Sequence, residues 1–410
     1  MSIGKYKLYQ SVELIIYFYT LAIIKNKKEF LNMNYDILYP DYNRSILSIS
    51  SSLLNKFDIS SNYPTLKELD IYLKNDYKNI IFLILDCLGT KILNNNLSKD
   101  SILKENFKTN VTTVFPSTTV AATTAFHSGS SPVENGWIGW MPYFTEYNDI
   151  IEIFTSKQFY TGKKLEILDI GKSILNYETI YSKIINKNPY IIYNKIFPNF
   201  IPEGAKSIEE LCEKIYDSCN NQNKCNLISS YWNEPDHTIH HTGTYSNETK
   251  AVLENIDGNI RQLVNKLDNS LIIISADHGA VDVEEIYINE YKGLVNCLKM
   301  PPSIETRFVT FFIKKGKKQF FKIKFNEIFG NDFIFLEKDE FLSSNLLGKG
   351  RKHYKINEYF GDFIVISKSN KTIRFTMDGN KFERLIADHG GLTKDEMEVP
   401  VIIIEKEKNK

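Results

Sequence analysis

An α/β sandwich with a central, mostly parallel sheet and an α+β insertion is the fold that the sequence predicts. Three observations predict it. Four short runs, 80-IIFLIL-85, 226-NLISSYW-232, 270-SLIIIS-275 and 400-PVIIIE-405, are apolar with little alternation, as strands buried on both faces of a parallel sheet are. Helical patterns lie between them, 207-SIEELCEKIYDSC-219 and 249-TKAVLENIDGNIRQLVNKL-267, and such alternation argues for α/β layers. From 282 to 376 the chain turns to charged, aromatic, hairpin-like pieces: 307-RFVTFFIKKG-316, 333-FIFLEKDEF-341 and 362-DFIVISKSNKTIRF-375. The reading is an N-terminal extension over 1–32, an α/β core over 33–281 and 377–410, and an α+β cap over 282–376.

The first segment, 11-SVELIIYFYTLAII-24, is apolar but carries Glu13. It falls short of a span of about 20 residues and lacks a small-residue cleavage site. An amphipathic or buried helix is the preferred reading, with membrane association the lesser one. Further on, 115-FPSTTVAATTAFHSGSSPVENGW-137 crowds hydroxyls around Ala121, Ala122, Ala125 and Phe126 at helical spacing. Pro116 precedes them and Gly129 follows, so the segment reads as a short small-residue helix.

The 410 residues suffice for one large core with an insertion. Lys+Arg and Asp+Glu balance at 50 each. That gives no electrostatic case for gripping polymeric nucleic acid or an anionic membrane. The five cysteines, Cys87, Cys212, Cys219, Cys225 and Cys297, form no CxxC pair. They read as reduced thiols of a cytoplasmic protein rather than as a metal or disulfide framework.

The residues suited to chemistry read as lying just past strand ends. Asp86 closes the first run, Asp236 and His240 follow the second in 236-DHTIH-240, Asp277 and His278 follow the third, and His389 lies in 387-ADHGG-391. Ligands of open α/β sheets gather at the carboxyl ends of strands. An Asp/His set without thiolate suits zinc or a similar divalent ion. Positions i and i+4 share a helix face, which pairs Asp236 with His240; His241 replaces His240 if the turn is not helical. His127, His237 and His353 read as non-ligands; Asp388 reads as a support for His389, with direct ligation the alternative.

The segments 80-IIFLILDCLG-89, 114-VFPSTTVAATTAFHSG-129, 231-YWNEPDHTIHHTG-243, 274-ISADHGA-280 and 386-IADHGGLTKDEMEVP-400, taken in that order, resemble the alkaline phosphatase superfamily of two-metal phosphohydrolases. Within it they are most similar to the type I phosphodiesterase/nucleotide pyrophosphatase branch and its bacterial relatives. The resemblance implies an alkaline-phosphatase-like three-layer sandwich. It implies a Ser or Thr nucleophile that starts a helix ten positions before a small-residue–Gly pair, which gives Thr119, with Thr118 as the alternative register. It implies one metal on Asp86, Thr119, Asp277 and His278 and a second on Asp236, His240 and His389. Zinc is the expected ion and manganese the alternative. The implied activity is hydrolysis of a phosphodiester or nucleotide phosphoanhydride through a threonyl-phosphate. The alternatives are a phosphomonoesterase on the same scaffold and a non-catalytic member that binds a phosphorylated ligand. The substrate is a small phosphorylated molecule, a nucleotide among the candidates.

Two departures bear on specificity. Val120 and Ala121 stand where eukaryotic-type members carry an Asn shortly after the Thr. Arg307 is a weak candidate for a phosphate-gripping Arg, with a surface salt bridge the preferred reading. The aromatic run 137-WIGWMPYF-144 reads as core packing before base stacking.

Overall fold

Buried runs need cover on both faces, and the computed structural model supplies it around a six-stranded sheet. It describes residues 35–166, 169–220 and 225–408, of which those from Ile37 onward form one unit. The expectations for residues 1–32 lie outside the described residues. The strands are β1 (Asn79–Leu85), β2 (Phe107–Thr112), β3 (Ile192–Ile196), β4 (Asn226–Trp232), β5 (Ser270–Ser275) and β6 (Glu398–Lys406), in the order β2-β6-β5-β1-β4-β3. β1 pairs in parallel with β4 and β5, and β4 with β3. β1, β4 and β5 are buried along their whole length, which is why they read as unbroken apolar runs.

β6 is the exception in direction. It runs antiparallel to both β5 and β2, so its first residues, not its last, lie at the edge where β1, β4 and β5 end. The segment carrying His389 therefore reaches that edge on the way into a strand. The sequence reading, which placed every candidate after a strand of the core sheet, is corrected here for His389. It follows only the two-residue strand Ala387–Asp388, paired antiparallel with Val281–Asp282.

The principal helices are α1 (Ile46–Lys56), α2 (Thr119–Ser128), α3 (Ile208–Cys219), α4 (Asp236–Thr242) and α5 (Asn247–Lys266). Ser207 and Ser246 cap α3 and α5 by accepting hydrogen bonds from the N–H groups of Glu210 and Thr249. α2 lies close under the sheet because it presents Ala121, Ala122 and Ala125, all fully buried. Phe126 meets Phe82 of β1 at 5.1 Å between ring centroids, and Ser50 of α1 donates to the Phe126 carbonyl at 2.9 Å. Gly129 ends α2 at φ +66°, a left-handed conformation that glycine adopts without penalty.

Residues 303–367 hold a second, four-stranded antiparallel sheet in the order Ser303–Ile304, Phe308–Phe311, Phe363–Ser367, Phe333–Glu337. The helix Lys318–Phe329 covers it with Phe321, Phe325 and Phe329. A separate apolar cluster joins this sheet to the segment around α2, through Phe115, Val120, Ile304 and Phe308. Most of the 137–144 run is packed in this way, with Ile138 and Phe144 fully buried; only Trp140 stays substantially open, 37% exposed. No helix among the described residues is long and apolar enough to cross a membrane.

Arg307 is neither a surface ion pair nor free to grip phosphate. It is fully buried and bidentate on Glu396, Nε to Oε1 at 2.7 Å and Nη2 to Oε2 at 2.8 Å. Glu396 also accepts from the N–H of Gly391 at 2.7 Å, so the pair pins the loop that carries His389. Removing one partner of a buried pair leaves the other charge uncompensated. Arg307→Met should cost about 3–5 kcal/mol in urea denaturation, and adding Glu396→Leu should recover part of it.

His127 of α2 faces Tyr181 and Phe197 at 5.7 and 5.9 Å between ring centroids, and its Nε2 makes no hydrogen bond. Burial, with Lys195 nearby, pushes its pKa from 6.5 down to about 3. Below 6.5 the unfolded chain takes up a proton that the folded chain refuses. Stability present above that pH is therefore lost on acidification, by about 1.4 kcal/mol per pH unit until the folded pKa is reached. His127→Phe should show a shallower loss than wild type in denaturation series between pH 6.5 and pH 4.

Candidate metal centre

The exits of β1, β4 and β5 deliver acidic residues to one edge of the sheet. Asp86 directly follows β1, Asp277 and His278 follow β5, and Asp236 opens α4 after β4. Two glycines let the exits converge. A Cβ on Gly89 would lie 2.6 Å from the Cα of Gly279, and one on Gly279 only 2.1 Å from the Asp395 carbonyl.

α4 is helical, so the i, i+4 spacing brings Asp236 Oδ2 to 3.4 Å from His240 Nε2. His241, the alternative, turns toward Glu383 at 3.6 Å. His389 Nε2 lies 3.6 Å from Asp236 Oδ1. Ligand-capable atoms of Asp86, Asp277 and His278 lie within 4.8 Å of one another, and those of Asp236, His240 and His389 do the same. The rings of His278 and His389 stack at 3.8 Å and join the two triads.

The hydroxyl row at the start of α2 sorts itself by partner. Ser117 donates to the Gly391 carbonyl at 2.8 Å, and Thr118 to Glu305 Oε1 at 2.9 Å. Thr119 Oγ1 lies 3.1 Å from His278 Nε2, at the first residue of the helix. Thr118 is the N-cap by backbone position, but its side chain makes no capping hydrogen bond.

Burial and the crowding of three carboxylates set the electrostatics of the site. Asp86 Oδ1, Asp236 Oδ1 and Asp277 Oδ2 accept no hydrogen bond. Burial, reinforced by Asp277 and Asp236, holds the Asp86 carboxyl well above the usual range. Burial likewise lifts Asp277 to about 6, against the pull of the Cys87 N–H. His278 and His389 are pushed down to about 4 by burial. At His240 burial acts in the same direction, but the neighbouring Asp236 outweighs it and raises the imidazole to about 10. Asp236 is lowered, its burial outweighed by the three imidazoles, His240 first.

Each imidazole sets its Nδ1 against a backbone carbonyl: His240 to Ala387 at 2.8 Å, His278 to Gly279 at 3.1 Å, His389 to Ser117 at 3.2 Å. A carbonyl only accepts, so Nδ1 carries a proton and Nε2 faces the carboxylates, as a lone pair at His278 and His389 and, at the raised His240, as an N–H whose proton a cation would displace. Metal-binding histidines are held in this manner. Unclaimed carboxylate oxygens and oriented Nε2 atoms form a donor set that fits divalent cations. Asp388 stands behind them, accepting from Thr306 at 2.6 Å and Thr372 at 2.7 Å.

Three residues near the centre escaped the sequence reading. Tyr231 donates to Asp86 Oδ2; its only signal was a polar tip near the end of an apolar run. Cys87 adjoins Asp86, and its thiol reaches toward the triads. Glu305, in 303-SIETRF-308, accepts from Thr118 and from the Trp140 N–H at 2.7 Å. Burial raises its carboxyl to about 8.

A family model described as type I phosphodiesterase / nucleotide pyrophosphatase matches residues 80–391. No curated protein matches the chain by sequence. Among solved structures, human ectonucleotide pyrophosphatase/phosphodiesterase 5 is similar with a TM-score of 0.59 at 16% identity, covering 80% of this chain and 87% of that one. An inactive murine form in complex with AMP aligns with a TM-score of 0.56 at 17% identity, over 78% and 87% of the two chains. Phosphonoacetate hydrolase from Sinorhizobium meliloti 1021, in complex with phosphonoformate, aligns with a TM-score of 0.57 at 14% identity, over 80% and 90%. At these identities the structures speak for the fold, and the family match speaks for the chain. The protein belongs to the type I phosphodiesterase/nucleotide pyrophosphatase family of phosphoryl hydrolases, on the alkaline-phosphatase-like fold.

Proposed function

We propose that the chain is a two-metal hydrolase that cleaves phosphodiester or nucleotide phosphoanhydride bonds through Thr119. The observation that carries this reading is the position of the Thr119 hydroxyl, 3.1 Å from His278 Nε2 beside two triads with unclaimed carboxylate oxygens. Asp86, Thr119, Asp277 and His278 would hold one ion, and Asp236, His240 and His389 the other. Zinc is the proposed ion and manganese the alternative. Bound there, divalent ions supply charge neutralisation and a lowered hydroxyl pKa.

The chain's own residues do the rest. The N–H groups of the first turn of α2, which have no partner within the helix, favour an incoming phosphoryl oxygen. Thr119 Oγ1 attacks phosphorus and its proton passes to solvent, while the bond to the leaving oxygen breaks with its electron pair. The leaving group departs as an alkoxide, or as a phosphate from an anhydride, and takes up a proton from water where its pKa requires one. Water then hydrolyses the threonyl-phosphate and restores the hydroxyl.

Diesters and anhydrides are favoured over monoesters by Arg307. The guanidinium that could hold a dianionic phosphate is occupied by Glu396. We propose residues 282–376 as the cap that selects substrate, over a core of 33–281 and 377–410. A narrow cleft of about 20 Å³, lined by Phe159, Tyr160, Phe375 and Phe382, reaches Glu305 and Thr306. AMP and phosphonoformate, bound by structural neighbours, are in keeping with a small phosphorylated substrate. The unpaired state of all five cysteines supports the cytoplasm as the place of action.

The test uses metal-stripped protein reconstituted with Zn²⁺ or Mn²⁺. The p-nitrophenyl ester of a nucleotide should be hydrolysed in preference to p-nitrophenyl phosphate, and only with metal. Thr119→Ala should lower kcat by about 10⁴-fold or more, whereas Thr118→Ala should keep most of it. Full activity in Thr119→Ala would move the nucleophile to Thr118. A preference for the monoester would make the enzyme a phosphatase.

A further inference from the structure

Cys87 occupies a place that glycine would fill more easily. It follows Asp86 with φ +64°, in the left-handed region that disfavours any residue with a Cβ. Its side chain is fully buried. A buried cysteine is ordinarily a small hydrophobe, and one edge of Cys87 does join the apolar core. Its sulfur, however, lies within 4.8 Å of a carboxylate oxygen of Asp236 and a ring nitrogen of His278, one residue from each triad. Close by, Asp86 Oδ1 and Asp277 Oδ2 are deeply buried and accept no hydrogen bond. Two further cysteines have local partners of their own: Cys297 donates to the Gly293 carbonyl and Cys225 to that of Tyr77. Among the described residues Cys87 is the one cysteine in a group able to hold a metal.

We propose that Cys87 Sγ is an additional ligand at the junction of the two triads, so that the centre selects thiophilic cations such as Zn²⁺, Co²⁺ and Cd²⁺ over Mn²⁺ and Mg²⁺. The proposal rests on the reading that the triads bind metal, and extends it. A set made only of carboxylates and imidazoles accepts Mn²⁺ as well as Zn²⁺; one thiolate biases it toward softer ions. On coordination the S–H bond breaks, the sulfur donates the retained electron pair to the cation, and the proton passes to solvent. The strained backbone is then accounted for, because it sets the Cys87 side chain against one residue of each triad.

Cobalt spectroscopy tests the proposal apart from activity. Full-length, metal-stripped protein is titrated with Co²⁺ and followed in the visible and near ultraviolet. Visible ligand-field bands report bound cobalt whatever its ligands; a near-ultraviolet sulfur-to-cobalt charge-transfer band reports a thiolate. Wild type should show both. Cys87→Gly, which relaxes the backbone and so protects folding, and Cys87→Ser should keep the ligand-field bands and lose the charge-transfer band. In competition both variants should lose preference for Cd²⁺ over Mn²⁺. Ligand-field bands without charge transfer in wild type, or charge transfer that survives in Cys87→Gly, would overturn the thiolate while leaving the metal reading intact. The absence of ligand-field bands in wild type would overturn both.

Discussion

Three carboxylates, Asp86, Asp236 and Asp277, face one another with oxygens that no hydrogen bond claims. Gathering like charges out of water is costly unless a cation joins them. The surrounding structure is arranged to hold that costly geometry. Parallel strands β1, β4 and β5 end at one edge, and Gly89 and Gly279 permit backbone contact that any side chain would block. Three imidazoles complete the ring, each fixed by a carbonyl on the far side.

The reversed strand β6 and the insertion close the site from the other direction. β6 begins where its neighbours end, and the loop before it carries His389 into the gap. That loop is held at several points: Glu396 on Arg307, Asp388 on Thr306 and Thr372, and the Gly391 carbonyl on Ser117. Arg307 and Thr306 belong to the 282–376 segment. The segment that would choose the substrate is thus mechanically continuous with the residues that would hold the metal. A change in its packing should be felt at His389 and Thr118 before it is felt in the sheet.

Much of this was legible in the sequence because it rests on local pattern. β4 and β5 were read with the boundaries they have, and the Asp236–His240 pair follows from helical spacing alone. β2 and β3 were not read. Both are outer strands, and 107-FKTNVT-112 and 192-IYNKI-196 mix exposed polar residues with few apolar ones. The direction of β6 was not legible either, since an apolar run carries no sign of which way it pairs. Arg307 was misjudged because its partner lies 89 residues away. Tyr231, Cys87 and Glu305 matter through neighbours that only the tertiary fold supplies.

On the proposed reading each of the two triads holds one metal ion. Native mass spectrometry of metal-stripped protein titrated with Zn²⁺ tests it most directly. Two ions per chain in wild type, falling to one in a variant carrying both Asp236→Asn and His240→Ala, is the result the account predicts. Wild-type protein that binds no zinc, or a variant that still binds two ions, would contradict it.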